Sequence, residues 1–330
     1  MISVIVPAYY SESTLEKCLK SIRESAYKNY ELIVIDDGSS DATRVIAKKF
    51  ADQMLEHSRN LGRSQARNSG IRLAKGDILL FIDSDVLVKK DTLEKVDKYF
   101  LEHKEVDALT GILSKEHPNK SYFSQYKNLY MNYIFSKLPK RIHFLYGSIH
   151  AVRAQVALPY GPNIHAGEDT DIGLRLSRMG KQIAFVKDLE VIHLKSYNFR
   201  SWVINDFKIP FSWARIFVLY QGWKHVGKHK TGYLHSPKEQ LASVVLAPLA
   251  LLFLFLSLTG ISFIKYPAIF FFAVWLFLNL HFVVFLTLEK GLFFGLPALP
   301  VTFFDHLVMA TGISCGLMHM FNLNKPGKQK

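Results

Sequence analysis

The sequence predicts an α/β domain on a mainly parallel sheet, followed by a C-terminal region of membrane-crossing helices. Three observations carry this reading. Short apolar runs alternate with segments of helical periodicity in the first part of the chain. Acidic turns, Asp36-Asp37 and Asp83-Ser84-Asp85, close two of those runs. From Gln240 onward the charges scattered through residues 1–236 give way to almost unbroken apolar sequence.

ISVIVPAYY at 2–10 reads as a short strand broken by Pro7. In STLEKCLKSI, Leu15, Cys18, Leu19 and Ile22 recur at helical spacing, with Ser13 as cap and Glu16 three residues on. YELIVIDDGSSDAT supplies a second strand and its turn, and DATRVIAKKFA a helix. RNLGRSQARNSGIRLAKG reads as a loop entering a helix. DILLFIDSDV, at 77–86, has an apolar run over 78–82 that suits a strand buried on both faces. Strand–helix alternation implies right-handed crossovers and a parallel sheet. Ligands of such sheets bind beyond the carboxyl ends of the strands, where both acidic turns fall.

Carboxylates converging on one edge repel each other unless a cation lies between them. A hard divalent ion takes one or two carboxylates and completes its shell with substrate phosphate oxygens. A lone Asp-Ser-Asp also reads as an ordinary strand-end turn, since both residue types favour turns. Two acidic clusters on successive strand ends are more specific than either alone.

At 330 residues the chain is long enough for about two units. Cys18 and Cys315 give no disulfide framework and fit a reducing compartment. The first apolar stretch is too short for a secretory signal. The net charge of +13 comes without a nucleic-acid reader motif. A basic cluster, WKHVGKHK at 223–230 with Lys238 following, instead precedes the apolar region, as expected of a cytoplasmic membrane boundary.

Apolar segments at 241–261 and 268–288 each have about the 20 residues needed to cross the bilayer, and their short connector implies a helical hairpin. The third, 292–321, holds Pro297, Pro300, Asp305 and His306 and is expected to be broken, re-entrant or interfacial. Positive charge at both ends favours two crossings plus one non-spanning segment, with three crossings as the alternative. Gly312 and Gly316 form a small-residue face suited to helix packing, which could extend to an oligomer. Phe211, Trp213 and Phe217 with Lys208 and Arg215 suggest an amphipathic helix at the bilayer interface.

SVIVPAYY, ELIVIDDGSSDAT, RNLGRSQARNSG, GDILLFIDSDV and AGEDTDIGLRLSRMG together resemble the family 2 glycosyltransferases of GT-A fold, over about residues 1–200. The resemblance implies inverting transfer of a sugar from a nucleotide diphosphate sugar, most often UDP-linked, with Mg2+ or Mn2+. It implies that Pro7, Ala8 and Tyr9 line the nucleotide pocket and that Asp37 receives the base, with Asp36 shaping the turn. Arg67 would approach the nucleotide, with Asn60 and Gly62 in the loop before it. Asp83, Ser84 and Asp85 form the DxD, Asp83 facing ribose and sugar and Asp85 ligating the metal. Asp169 matches the catalytic base and Glu168 a positioning residue, while His193 could join the metal or the diphosphate. As residues alone, Glu168 and Asp169 also read as first-turn charges at a helix start, and His193 as a structural histidine. The Gln-x-x-Arg-Trp signature of processive synthases is absent, which points to single-sugar transfer.

The expected organisation is therefore a GT-A domain at 1–200, an interfacial region at 201–239, membrane helices at 240–321 and a basic tail at 322–330. The expected function is transfer to a lipid-linked acceptor, a growing glycan or a polyprenyl phosphate, by a multi-pass protein of the cytoplasmic membrane. Its partners would be the donor, the acceptor and membrane lipids, with no nucleic acid. The alternative is a nucleotide-binding membrane scaffold without catalysis. Intact Asp83, Asp85 and Asp169 argue against it.

Overall fold

The computed structural model describes residues 1–161, 167–222, 237–259 and 261–323. The chain forms two compact units, one of residues 1–120 and 138–196, the other of residues 121–137 and 197–330.

The first unit is a mixed sheet flanked by helices. β1 (Ile2–Ala8), α1 (Leu15–Arg23), β2 (Tyr30–Asp36), α2 (Thr43–Phe50), β3 (Gln53–Glu56), α3 (Arg63–Leu73) and β4 (Ile78–Ile82) alternate as the sequence predicts. These four strands are parallel, with β1 central between β2 and β4. All residues of β1 and β4 are buried, which is why neither shows an alternating pattern. α1 turns Leu15, Cys18, Leu19 and Ile22 inward. Its expected Ser13 cap is not used: the helix starts after Thr14, and the N–H groups of Thr14 and Leu15 donate to the Ser11 carbonyl.

β5 (Val86–Val88), α4 (Thr92–Glu102) and β6 (Ala108–Leu113) follow. The chain then contributes α5 (Tyr122–Ser136) to the second unit and returns as β7 (Arg141–Ile142), β8 (Ile149–Arg153), α6 (Glu168–Arg178) and β9 (Ile183–His193). β8 runs antiparallel between β4 and β6, so the sheet order is β3-β2-β1-β4-β8-β6-β9-β5, with β7 on β9. The antiparallel insertion of β8 sets the turn before it, at Gly147-Ser148, beside Asp83.

The second unit is helical: α5, α7 (Phe199–Leu219), α8 (Lys238–Ser257), α9 (Lys265–Lys290) and α10 (Leu292–Leu323). Three helices, Lys238–Ser257, Lys265–Lys290 and Leu292–Phe321, are long and apolar enough to cross a membrane, with mean hydropathies of 2.2, 2.4 and 1.5 over their most apolar stretches.

Two expectations change here, and the packing of α7 is added to them. The third apolar segment is one continuous helix rather than a broken one. Pro297 and Pro300 each remove a single backbone donor, and α10 persists through both. The aromatic 207–217 segment is part of α7 and runs along α10. Gly312 and Gly316 face the carbonyl oxygens of Phe207 and Phe211 so closely that a Cβ would collide with them, so the small-residue face serves α7. Finally, the boundary at residue 200 overlooks α5. Its Tyr126 hydroxyl meets Thr302 Oγ1 at 2.9 Å and its Lys127 pairs with Asp206 of α7 at 2.6 Å. Asp305 is fully buried beside that pair. His306 Nδ1 accepts from Trp275 Nε1 at 2.9 Å, so this polar pair of the apolar helices is turned inward. The basic cluster at 223–230 and the tail at 324–330 lie outside the described residues.

Candidate active site

The parallel register of β1 and β2 brings Ala8 level with Asp36. The Asp37 N–H continues the ladder to the Ala8 carbonyl at 2.9 Å. Pro7, Ala8, Tyr9, Asp37, Asp83, Ser84 and Asp85 consequently meet around one cavity of about 290 Å³. Ser11, Arg63 and Ala66 complete its lining, and sequence reasoning singled out none of them. The Ser84 hydroxyl sits 2.8 Å from that of Ser11, tying the Asp-Ser-Asp turn to the end of β1.

Other predicted residues stand around this wall. Asp36 is buried, and its Oδ1 accepts from the Ser39 N–H at 3.1 Å, which shapes the turn. Gly62 donates its N–H to Asp37 Oδ2 at 2.8 Å. Asn60 is exposed, with its backbone against Gly38.

Arg67 binds the two halves of the site together. Its guanidinium is fully buried, donating from Nη1 to Glu168 Oε1 at 2.7 Å and from Nη2 to Asp83 Oδ1 at 2.8 Å. The Tyr160 ring lies 5.4 Å from its centre. Arg63 reaches the same Glu168 oxygen at 3.3 Å. Burial alone would lower the basicity of Arg67, but the charges of Asp83 and Glu168 more than reverse this and fix it as a cation. Burial pushes Glu168 up and Asp83 up. Arg63 and Arg67 pull Glu168 below its usual range, whereas Asp83, crowded by Asp85, stays raised. His150, beneath this cluster, is driven down to about 3 by burial and by Arg67, and is neutral.

Asp169 opens α6 beside Glu168. Its Oδ2 accepts from the Gly147 N–H at 2.6 Å and its Oδ1 from its neighbour Thr170 at 2.8 Å. Burial first, and then the Glu168 charge, raise its pKa to about 6. A carboxyl group with that value is mostly ionised near neutrality yet basic enough to take a proton. Gly147 lies where the acids meet: a Cβ there would stand 3.1 Å from Asp169 Oδ2 and 3.5 Å from Asp83 Oδ2. Nothing in the sequence marks this glycine.

Pairing of β5 with β9 places His193 opposite Val86, and its Nε2 is 3.5 Å from Asp85 Oδ2. Burial raises Asp85, but His193 and then Lys195 outweigh it and hold the group below its usual range. Among the described residues no group of three His, Cys, Asp or Glu side chains could hold a metal by itself. Asp85, with Asp83 and His193 near, fits instead a hard cation whose remaining ligands are phosphate oxygens and water. Among the described residues that line the cavity, Asp37, Asp83 and Asp85 face a single basic side chain, Arg63, so acid exceeds base there. A diphosphate entering this pocket would be repelled unless a cation came with it.

Residues 3–158 match the model for glycosyl transferase family 2. The match covers a little under half of the chain. The glycosyltransferase GlyA of Streptococcus pneumoniae is 36% identical over 141 residues, which are 40% of this chain and 20% of that protein. GlyG of the same organism is 34% identical over 116 residues, 34% of this chain and 38% of that protein. The chain thus aligns with well under half the length of these relatives. A solved mannosyltransferase from Pyrobaculum calidifontis, in complex with GDP-Man and Mn2+, superposes over 99% of this chain and 88% of its own with a TM-score of 0.55 at 16% identity. That likeness is one of fold.

Proposed function

We propose that this chain transfers one sugar from a nucleotide diphosphate sugar, UDP-linked, to a lipid-linked acceptor with inversion at the anomeric carbon. The observation that carries the reading is Asp169: a buried carboxylate of raised pKa that accepts from the Gly147 N–H, close to Asp83. In this mechanism Pro7, Ala8 and Tyr9 bound the nucleoside, Asp37 accepts from the base, and Asp36, Asn60 and Gly62 support that loop. Asp83, oriented by Arg67, faces ribose and sugar, with Ser84 between the two acids. Asp85 and His193 would hold Mg2+ or Mn2+, which when bound would neutralise the departing diphosphate. The acceptor oxygen bonds to the anomeric carbon as the bond to the diphosphate oxygen breaks, its electron pair leaving with the diphosphate. Asp169 takes the acceptor's proton, and Glu168, anchored on Arg67, keeps Asp169 in place.

Three helices able to cross a membrane support a membrane-borne acceptor, a growing glycan or a polyprenyl phosphate, reached from the cytoplasmic face. With all three crossing, residues before α8 and after α10 would lie on opposite faces of the membrane.

The test is nucleotide diphosphate release from UDP-, GDP- and dTDP-sugars by the purified chain in detergent, with native lipid extract and Mg2+, Mn2+ or EDTA. Metal-dependent release from a UDP-sugar, raised by the lipid, is expected. Donor binding without release from any donor would favour a nucleotide-binding scaffold.

A further inference from the structure

Asp37 is more heavily engaged than a free base-binding carboxylate needs to be. Its Oδ1 accepts from the Leu61 N–H at 2.9 Å and from His57 Nδ1 at 2.6 Å, and its Oδ2 accepts from the Gly62 N–H at 2.8 Å. A carboxylate has about four lone-pair positions. One therefore remains, on Oδ2, and Asp37 lines the cavity. His57 is itself fixed from behind. Its Nε2 is 2.9 Å from Ser69 Oγ, which in turn accepts from Arg72 Nη2 at 2.8 Å. His57 and Ser69 are both buried, so the chain Arg72–Ser69–His57–Asp37 braces the carboxylate from α3 through the end of β3.

We propose that His57 is a specificity-determining positioning residue: by filling Oδ1 of Asp37 it leaves a single acceptor for the donor's base. That selects a base presenting one imide N–H, uracil or thymine. Guanine offers two parallel N–H donors, N1–H and N2–H, and satisfies them on a carboxylate only when both oxygens are open. Cytosine has an acceptor at N3 and would set a lone pair against the carboxylate. The inference deepens the function proposed above and rests on its placement of the base at Asp37. A histidine that only stiffened the 59–62 loop would alter affinity for every nucleotide alike, whereas this role alters the ratio between bases.

The experiment is equilibrium binding of UDP, dTDP, GDP and N3-methyl-UDP with Mn2+ to the full chain in detergent, for wild type, His57→Phe and His57→Asn. Wild type is expected to bind UDP and dTDP at least about tenfold more tightly than GDP or N3-methyl-UDP. His57→Phe should narrow the UDP-over-GDP ratio by about tenfold, and His57→Asn, which retains an N–H near the Nδ1 position, should restore most of it. Equal or tighter binding of GDP by wild type, or undiminished binding of N3-methyl-UDP, overturns the inference without any variant and leaves the transferase reading standing. A uniform loss in His57→Phe with an unchanged ratio overturns it as well. Failure to bind any nucleotide overturns both.

Discussion

Replacing Arg67 by Met removes one charge while keeping a side chain of similar length, so the effect is electrostatic rather than a cavity. In the wild type the guanidinium is 2.7 Å from Glu168 and 2.8 Å from Asp83, with no solvent exposure. Its loss strands two buried carboxylates, and breaking a buried pair from one side typically costs about 3–5 kcal/mol. For a unit of this size that corresponds to a fall of about 6–20 °C in Tm. Thermal unfolding of wild type and variant in the same detergent, followed by near-ultraviolet circular dichroism, reads it. The deficit should shrink at pH 5, where protons neutralise the stranded acids, and on adding Mn2+ with UDP. Because Arg67 also draws the Asp169 pKa downward, the variant's residual transfer should require a higher pH than wild type. A Tm within about 2 °C of wild type at pH 7 would refute the claim that Arg67 neutralises the site.

Two further outcomes follow from the same geometry. With the Asp169 pKa raised to about 6, the transfer rate should be flat above neutrality and fall roughly tenfold per pH unit well below 6, in a kcat profile at saturating donor. The sign is that of a base that must be ionised, so a rate rising as pH falls from 7 to 5 contradicts the assignment. Gly147→Ala places a methyl group 3.1 Å from Asp169 Oδ2, so the carboxylate must give way slightly, and the variant should lower kcat at an unchanged Tm. Wild-type kcat in a folded Gly147→Ala protein would show that the space between the acids is not used.

The parallel strands and their acidic ends were legible because each strand is a continuous apolar run closed by charge, as DILLFIDSDV shows. The joining of Asp83 to Glu168 was not, since it depends on Arg67 reaching a residue 101 positions away. Gly147 carries no side chain to signal its place, and His57 stands alone in a polar stretch, so neither could be found without the pairing of β8 with β4 and the turn that follows β3. α5 escaped for a related reason. Tyr126, Lys127 and Tyr130 give it no membrane signature, and their partners Thr302, Asp206 and Gln240 are distant in sequence. The packing of α7's backbone on α10 escaped as well, because Gly312 and Gly316 are only a small-residue pattern until the helices meet.

The central claim is a division of labour between Asp85 and Asp169, and the most direct test measures donor binding and sugar transfer side by side in Asp85→Ala and Asp169→Asn. Asp85→Ala should lose metal-dependent donor binding. Asp169→Asn should bind the metal–donor complex within about threefold of wild type yet transfer at least about a hundredfold more slowly, the size expected of a missing general base. Equal loss of donor binding in both variants, or undiminished transfer by Asp169→Asn, would contradict the account.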